Sequence, residues 1–232
     1  MVASVPVSIP ADRWRCGQGR VRYNAAMDDH RWLHWAQQLQ AVAQTGDHFA
    51  VNDFDRQRYG VVRQVAAEML AAGAGADPRV IEGLFAAETG YATPRLDVRA
   101  AVFREGRILL VKERADGLWT LPGGFADVGD SPSLAAEREV REESGFEVRA
   151  VKLAALFDRN RQGHTPFPWH QWKVFFLCEI LGGEATPSIE TEAVGFFDPA
   201  APPPLSPGRT TVEQVHLMFE HYCDPSKATS FD

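Results

Sequence analysis

Residues 121–146 read LPGGFADVGDSPSLAAEREVREESGF, a glycine loop that runs into a highly charged segment. Ser131 is a good N-cap, Pro132 suits the first helical position and Gly145 suits the residue past a helix end, so the spacing predicts a helix over about 132–144. Six of the seven residues from Glu137 to Glu143 are charged. At about 100° per residue, Ala136 and Val140 share one face, which should bury. Glu139, Glu142 and Glu143 fall within roughly a 100° arc beside that face, and Glu137 and Arg141 form an i, i+4 pair elsewhere on the helix. Three carboxylates at the edge of a core repel one another unless a cation stands among them, and hard divalent cations take such oxygen ligands. A bare EREVREE run would read as a solvated face. The Gly123-Gly124 pair ahead of it lets backbone approach a metal or phosphate closely, and that favours a metal site.

The run Gly124, Asp130, Arg138-Glu139-Val140, Glu142-Glu143 and Gly145-Phe146 resembles the Nudix box at every fixed position but one. Asp130 stands where the family usually has Glu; it keeps the charge and is one methylene shorter, which should weaken bracing of the loop, not metal binding. The stretch RWLHWAQQLQAVAQTGDHFAVNDFDRQRYGVVRQVAAEML and the later FDRNRQGHTPFPWHQWKVFFLCEILGG are similar to a Nudix branch with a helical N-terminal extension, which includes a CDP-choline pyrophosphatase. The resemblance covers about residues 28–220. It implies an α+β fold, a Nudix-type αβα sandwich with a mixed sheet behind a small helical domain. It also implies hydrolysis of a nucleoside diphosphate derivative with Mg²⁺, Mn²⁺ being possible.

Outside the box, Trp32, Trp35, Ala36, Leu39, Val42 and Ala43 repeat with helical period, and Thr45-Gly46 reads as the end of that helix. Val62, Val65, Ala66 and Met69 mark a second helix over about 54–72, which Gly73 and Gly75 should end; a third is expected over about 79–88. Alternation from Val98, a turn at Glu105-Gly106 and the run Arg107–Lys112 predict a β-hairpin. Further strands are expected near 147–157, 171–181 and 193–198, with a C-terminal helix near 210–220. The organisation is a disordered arm or over-annotated start at 1–27, a helical domain at 28–92, the catalytic domain at 93–222 and a flexible tail at 223–232. Short helices carrying two tryptophans need an outside surface to bury them, so a homodimer is expected.

By the resemblance, the Gly123 carbonyl, Glu139, Glu142 and Glu143 are the metal-site residues. Glu139 and Glu143 lie one turn apart. The proton-accepting carboxylate is left open among Glu139, Glu190 and Glu192. Arg138 is a substrate contact or, on the better reading, an orienter of a box carboxylate. Phe125 and the loop His164–His170 (HTPFPWH) suit the rim of a substrate site, where aromatic faces stack on a base. Lys112, Arg95 and Arg99 are further phosphate candidates.

The composition sets limits on function. A 45% hydrophobic, 24% charged chain of 232 residues is that of a globular, soluble protein. No apolar run approaches the roughly 20 residues of a membrane span. Three widely spaced cysteines exclude a disulfide framework and fit a cytoplasmic protein. Four Arg against one Asp give the first 26 residues a net +3, which leaves −10 for the rest. That acidic body argues against DNA as partner and leaves a small-molecule nucleotide open, because a bound cation inverts the local sign. Two alternatives stand beside the hydrolase: a ligand-sensing regulator on a Nudix-derived domain, which would need a basic winged-helix segment, and an RNA-end or exonuclease activity.

Overall fold

The structure, a computed structural model, describes residues 31–232; the expected arm or over-annotated start at 1–27 lies outside the described residues. Three helices come first: α1 (Arg31–Phe49), α2 (Asp53–Ala74) and α3 (Pro78–Ala86). Asn52 and Asp77 cap the second and third by accepting from the backbone N–H groups of Asp55 and Arg79. The helices share a core of Leu33, Ala36, Ala66, Ala67, Leu70, Ala71, Ile81 and Phe85.

Two glycines read as stops have another role. Helix α1 runs through Gly46 to Phe49, and a Cβ on Gly46 would stand 2.2 Å from the Tyr59 ring. Gly73 lies inside α2 directly beneath Trp32, whose ring would be 2.2 Å from a Cβ there. Both are seats for an aromatic ring at a close helix crossing, and Gly75, in the left-handed conformation, is the residue that ends α2. The expected stripe therefore divides. Ala36, Ala43 and Ala66 bury, while Trp35, Val42 and Val65 remain 50%, 57% and 43% exposed. Small residues at the α1–α2 crossing set the helix spacing, and the bulky core positions are taken by Leu33, Leu70, Ile81 and Phe85 instead.

The second unit is built on a seven-stranded mixed sheet. Strands β1 (Arg95–Arg104) and β2 (Arg107–Glu113) form the expected hairpin but pair only at Phe103–Ile108 and Arg104–Arg107. Beyond that they part. Strand β1 runs parallel to β5 (Gln171–Gly183), which is antiparallel to β4 (Phe146–Asp158). Strand β2 pairs with β6 (Thr191–Phe197) and the two-residue β3 (Trp119–Thr120). Alternation along β1 and β5 sends Val98, Ala100, Val174 and Phe176 to one face, beneath α4 (Pro132–Ser144). It sends Ala101, Phe175 and Leu177 to the other face, beneath α5 (Val212–Cys223). The result is the expected α+β sandwich. Residues 223–232 differ from the flexible tail expected of them: Ser230–Phe231 form β7 beside β4, and the Thr229 hydroxyl donates to the Leu153 carbonyl at 2.8 Å. A two-residue strand has too few positions to show a period.

Candidate active site

Where β1 and β2 part, the glycine loop takes the freed edge of β1. The Ala100 N–H donates to the Pro122 carbonyl (2.9 Å), Val98 N–H to Gly124 (2.8 Å) and Ala126 N–H to Leu96 (3.1 Å). Gly123 sits at φ +145°, and a Cβ there would lie 2.0 Å from the Val98 carbonyl oxygen, so no other residue fits without moving the loop. Its N–H donates to Glu143 Oε2 at 2.8 Å, tying the loop to the last turn of α4. A Cβ on Gly124 would stand 3.1 Å from the Glu139 carboxylate. The Thr191 hydroxyl, at the start of β6, donates to the Glu143 backbone carbonyl at 2.8 Å. Sheet, loop and helix end thus fix one another around Glu143.

A cleft of about 750 Å³ opens over this junction. Gly123, Gly124, Glu139, Glu142 and Glu143 line one side, and Glu113, Glu190 and Arg209 contribute from β2 and the loops. Burial pushes the Glu143 carboxyl up to about 8 against the opposing pull of Arg99, and burial likewise raises Glu139 and Glu113. Burial outweighs the pull of Arg99, Arg138 and Arg209 on these acids, so a further cation among them would be favourable. Their all-oxygen chemistry, with the cradle left by Gly124, fits a hard divalent cation. Among the described residues, no three His, Cys, Asp or Glu side chains form a ready-made cage. Instead Arg138 joins the acids, donating from Nη1 to Glu139 Oε1 (3.0 Å) and Glu142 Oε2 (3.1 Å), and from Nε to Asp130 Oδ2 (3.0 Å). These three bonds go to the protein, while Arg138 Nη2 is buried without a hydrogen-bond partner, and the shorter Asp130 still reaches the guanidinium. Glu137 does not pair with Arg141 as expected; it accepts from the Ala150 N–H at 2.8 Å, beside an irregularity in β4.

The other candidates disperse. Phe125 lines the cleft, 44% exposed. Glu190 lines it too, whereas Glu192 pairs with Lys112 outside it. His164 is committed inside the protein: Nδ1 contacts the Pro207 carbonyl and Nε2 the Gln214 amide, each at 2.9 Å, and burial pushes its pKa down to about 3. His170 lies on a separate cleft and contacts Asp158 Oδ1 at 3.1 Å. Arg99, a phosphate candidate, is 4% exposed and grips Asp97 with Nε (2.8 Å) and Nη2 (3.0 Å), while its Nη1 donates to the Leu121 carbonyl (3.1 Å). Lys173, fully buried, donates to Asp97 at 2.9 Å. Burial disfavours the Asp97 charge, but Arg99 and Lys173 outweigh it and hold the carboxyl below the ordinary carboxylate range. The sequence reading missed the Asp97–Lys173 half of this brace, along with Glu113 and Arg209. Its signal was there: charged residues at positions where β1 and β5 are otherwise apolar.

Residues 93–215 match the model of the NUDIX domain, more than half of the chain. The chain belongs to the Nudix family. As the resemblance in the box implied, it is a Nudix pyrophosphohydrolase. Residues 30–85 match a second model, a UDP-X-like, N-terminal oligomerisation domain. The Nudix chain is 42% identical over 202 residues to a putative ADP-ribose pyrophosphatase, YjhB, of Bacillus subtilis, covering 87% of this chain and 97% of that one. Among solved structures it is similar to a UDP-X diphosphatase, at 32% identity and a TM-score of 0.57, covering 88% of this chain and 99% of the other. It is also similar to an ADP-ribose pyrophosphatase from Streptococcus suis, at 44% identity and a TM-score of 0.56, covering 60% of this chain and all of that one.

Proposed function

We propose that this Nudix enzyme hydrolyses nucleoside diphosphates linked to a second moiety, ADP-ribose and UDP-linked compounds foremost and CDP-choline in the same class, with Mg²⁺ or Mn²⁺. The observation that carries the reading is the acidic wall Glu139, Glu142 and Glu143 set against the glycine loop in one cleft. The Bacillus and Streptococcus relatives, both named for ADP-ribose pyrophosphatase activity, support ADP-ribose. The UDP-X diphosphatase supports the UDP-linked class.

Glu139, Glu142, Glu143 and the Gly123 carbonyl would hold the cation. A divalent ion held there would supply neutralisation of the diphosphate charge and activation of a water for attack. Arg138 keeps Glu139 and Glu142 turned toward the cleft through its two bonds from Nη1. Glu143 holds the loop through the Gly123 N–H, which fixes where the backbone meets the diphosphate. Glu190, lining the cleft from the β6 side, is placed to accept the proton of the attacking water, and Glu139 is the other carboxylate able to do so. Phe125 offers an exposed ring at the mouth for the nucleoside. Water adds across the P–O–P bridge, giving a nucleoside monophosphate and a phosphorylated partner. Residues 28–92 and 93–222 act as helical and catalytic domains, and the helical domain pairs two chains into a homodimer. The free thiols Cys178 and Cys223 suit a cytoplasmic setting.

The test is a panel of ADP-ribose, UDP-glucose, CDP-choline and ATP, with products resolved by ³¹P NMR. ADP-ribose should yield AMP and ribose 5-phosphate. Turnover of ATP alone would overturn the substrate class.

A further inference from the structure

A second cleft, of about 460 Å³, lies between α1 and the loop ahead of β5. Its α1 wall carries Gln37, Gln40 and Gln44, spaced to share one face. Two of these amides are engaged with the protein. Gln37 donates to the Phe167 carbonyl (3.0 Å) and accepts from Asn160 Nδ2 (2.7 Å), docking α1 on the catalytic domain. Gln44 donates to the Thr89 and Gly90 carbonyls, each at 3.3 Å. Gln40 differs. Its Nε2 donates to the Phe85 carbonyl (3.4 Å), but its Oε1 is buried with no partner, in a side chain only 4% exposed. A carbonyl only accepts, so Phe85 fixes which end of the amide is nitrogen. Gln40, in the wall of this cleft, thus carries a buried acceptor that lacks a donor, and buried acceptors are rarely left so.

The charges around the cleft are already neutralised. Arg95 pairs with Glu88, and His170 contacts Asp158 at 3.1 Å. Aromatic surface is present, with Trp169 on the loop side and Tyr91 at the mouth. The Arg95 guanidinium stands 4.6 Å from the Trp169 ring centroid and 5.8 Å from that of Phe125, which lines the catalytic cleft. The two clefts therefore share the Arg95–Phe125 wall. Paired charges, amides, aromatic walls and one unsatisfied acceptor suit an uncharged, planar group that donates N–H.

We propose that this junction cleft is the nucleobase subsite of the enzyme, with Gln40 Oε1 accepting an N–H of the base. The proposal rests on the hydrolase reading above. It makes Gln40, on the helical domain, a residue that sets base specificity for chemistry performed in the other domain.

The test compares ADP-ribose with an analogue whose adenine lacks the amino group, using the full chain with Mg²⁺. The wild type should show a KM about tenfold higher for the analogue, the scale of one lost hydrogen bond. In Gln40→Leu the KM for ADP-ribose should rise to meet that of the analogue. Equal KM values in the wild type, or a preserved difference in Gln40→Leu, would overturn the subsite while leaving the hydrolase reading intact. Hydrogen exchange of the wild-type chain with adenosine needs neither variant nor turnover. It should protect backbone amides of 37–44 and 167–171; protection confined to 121–143, or none, contradicts the subsite even if Gln40→Leu fails to fold. If no nucleoside diphosphate is hydrolysed, the hydrolase reading is what fails, and the adenosine experiment still reports on the cleft.

Discussion

Glu143 is 5% exposed, with an acidity pushed by burial toward neutrality and one oxygen on the Gly123 N–H. An amide in its place keeps the oxygen that accepts that bond and removes a charge that burial disfavours more than Arg99 supports it. The metal-free Glu143→Gln protein is therefore expected to melt no lower than the wild type at pH 8, as measured by calorimetry. His164 gives a second prediction, this one about acid. Its folded pKa of about 3 lies below the ordinary 6.5, so the native state keeps the ring neutral while the unfolded chain protonates. Stability from this source is intact above pH 6.5 and falls as pH drops toward 3. Urea unfolding at pH 7 and pH 5 should show the wild type losing about 2 kcal/mol more than His164→Gln over that interval. At this scale the box was legible, because loop glycines, N-cap and acid spacing are all local. Which of Glu190 and Glu192 faces the cleft was not. Glu113 pairs with Thr191 and Lys112 with Ala193, which leaves Glu192 at a bulge, and an irregularity of that kind cannot be read from alternation.

The glycines of α1 and α2 show what an element's sequence leaves undetermined. Gly46, Gly60 and Gly73 look alike in sequence, yet two face an aromatic ring at 2.2 Å and Gly60 has nothing within 4 Å of a Cβ. Gly60→Ala should raise stability by about 0.5–1 kcal/mol through helix propensity. Gly46→Ala should lower it by about 1–3 kcal/mol, since the Tyr59 ring must move. Chemical denaturation of both variants checks the pair, and a gain in both would contradict the crossing geometry. Helix existence, caps and the hairpin were readable because period and capping are local properties. Which face of α1 turns inward was not, because Ala and Gly on the partner helix decide how close the two can come.

Across the whole molecule, the helical unit leaves Trp35, Val42 and Val65 facing outward, and its sequence matches a model described as an oligomerisation domain. A paired copy would cover that surface. Light scattering is expected to give a dimer mass for the wild type and to shift toward half that mass for Trp35→Glu; a monomeric wild type would contradict the pairing. In the catalytic unit, the proposed role of the acidic wall against the glycine loop, Glu139, Glu142 and Glu143 with Gly123, is to hold the divalent ion that makes diphosphate cleavage possible. Its most direct test is the steady-state rate of ADP-ribose hydrolysis, for the wild type and Glu143→Gln, titrated with Mg²⁺ from an excess of EDTA. Background rate is expected in EDTA, with recovery of the wild type on adding Mg²⁺ and a Glu143→Gln rate lower by about 10²-fold or more at saturating Mg²⁺. An undiminished wild-type rate in EDTA, or a Glu143→Gln rate equal to the wild type's, would contradict it.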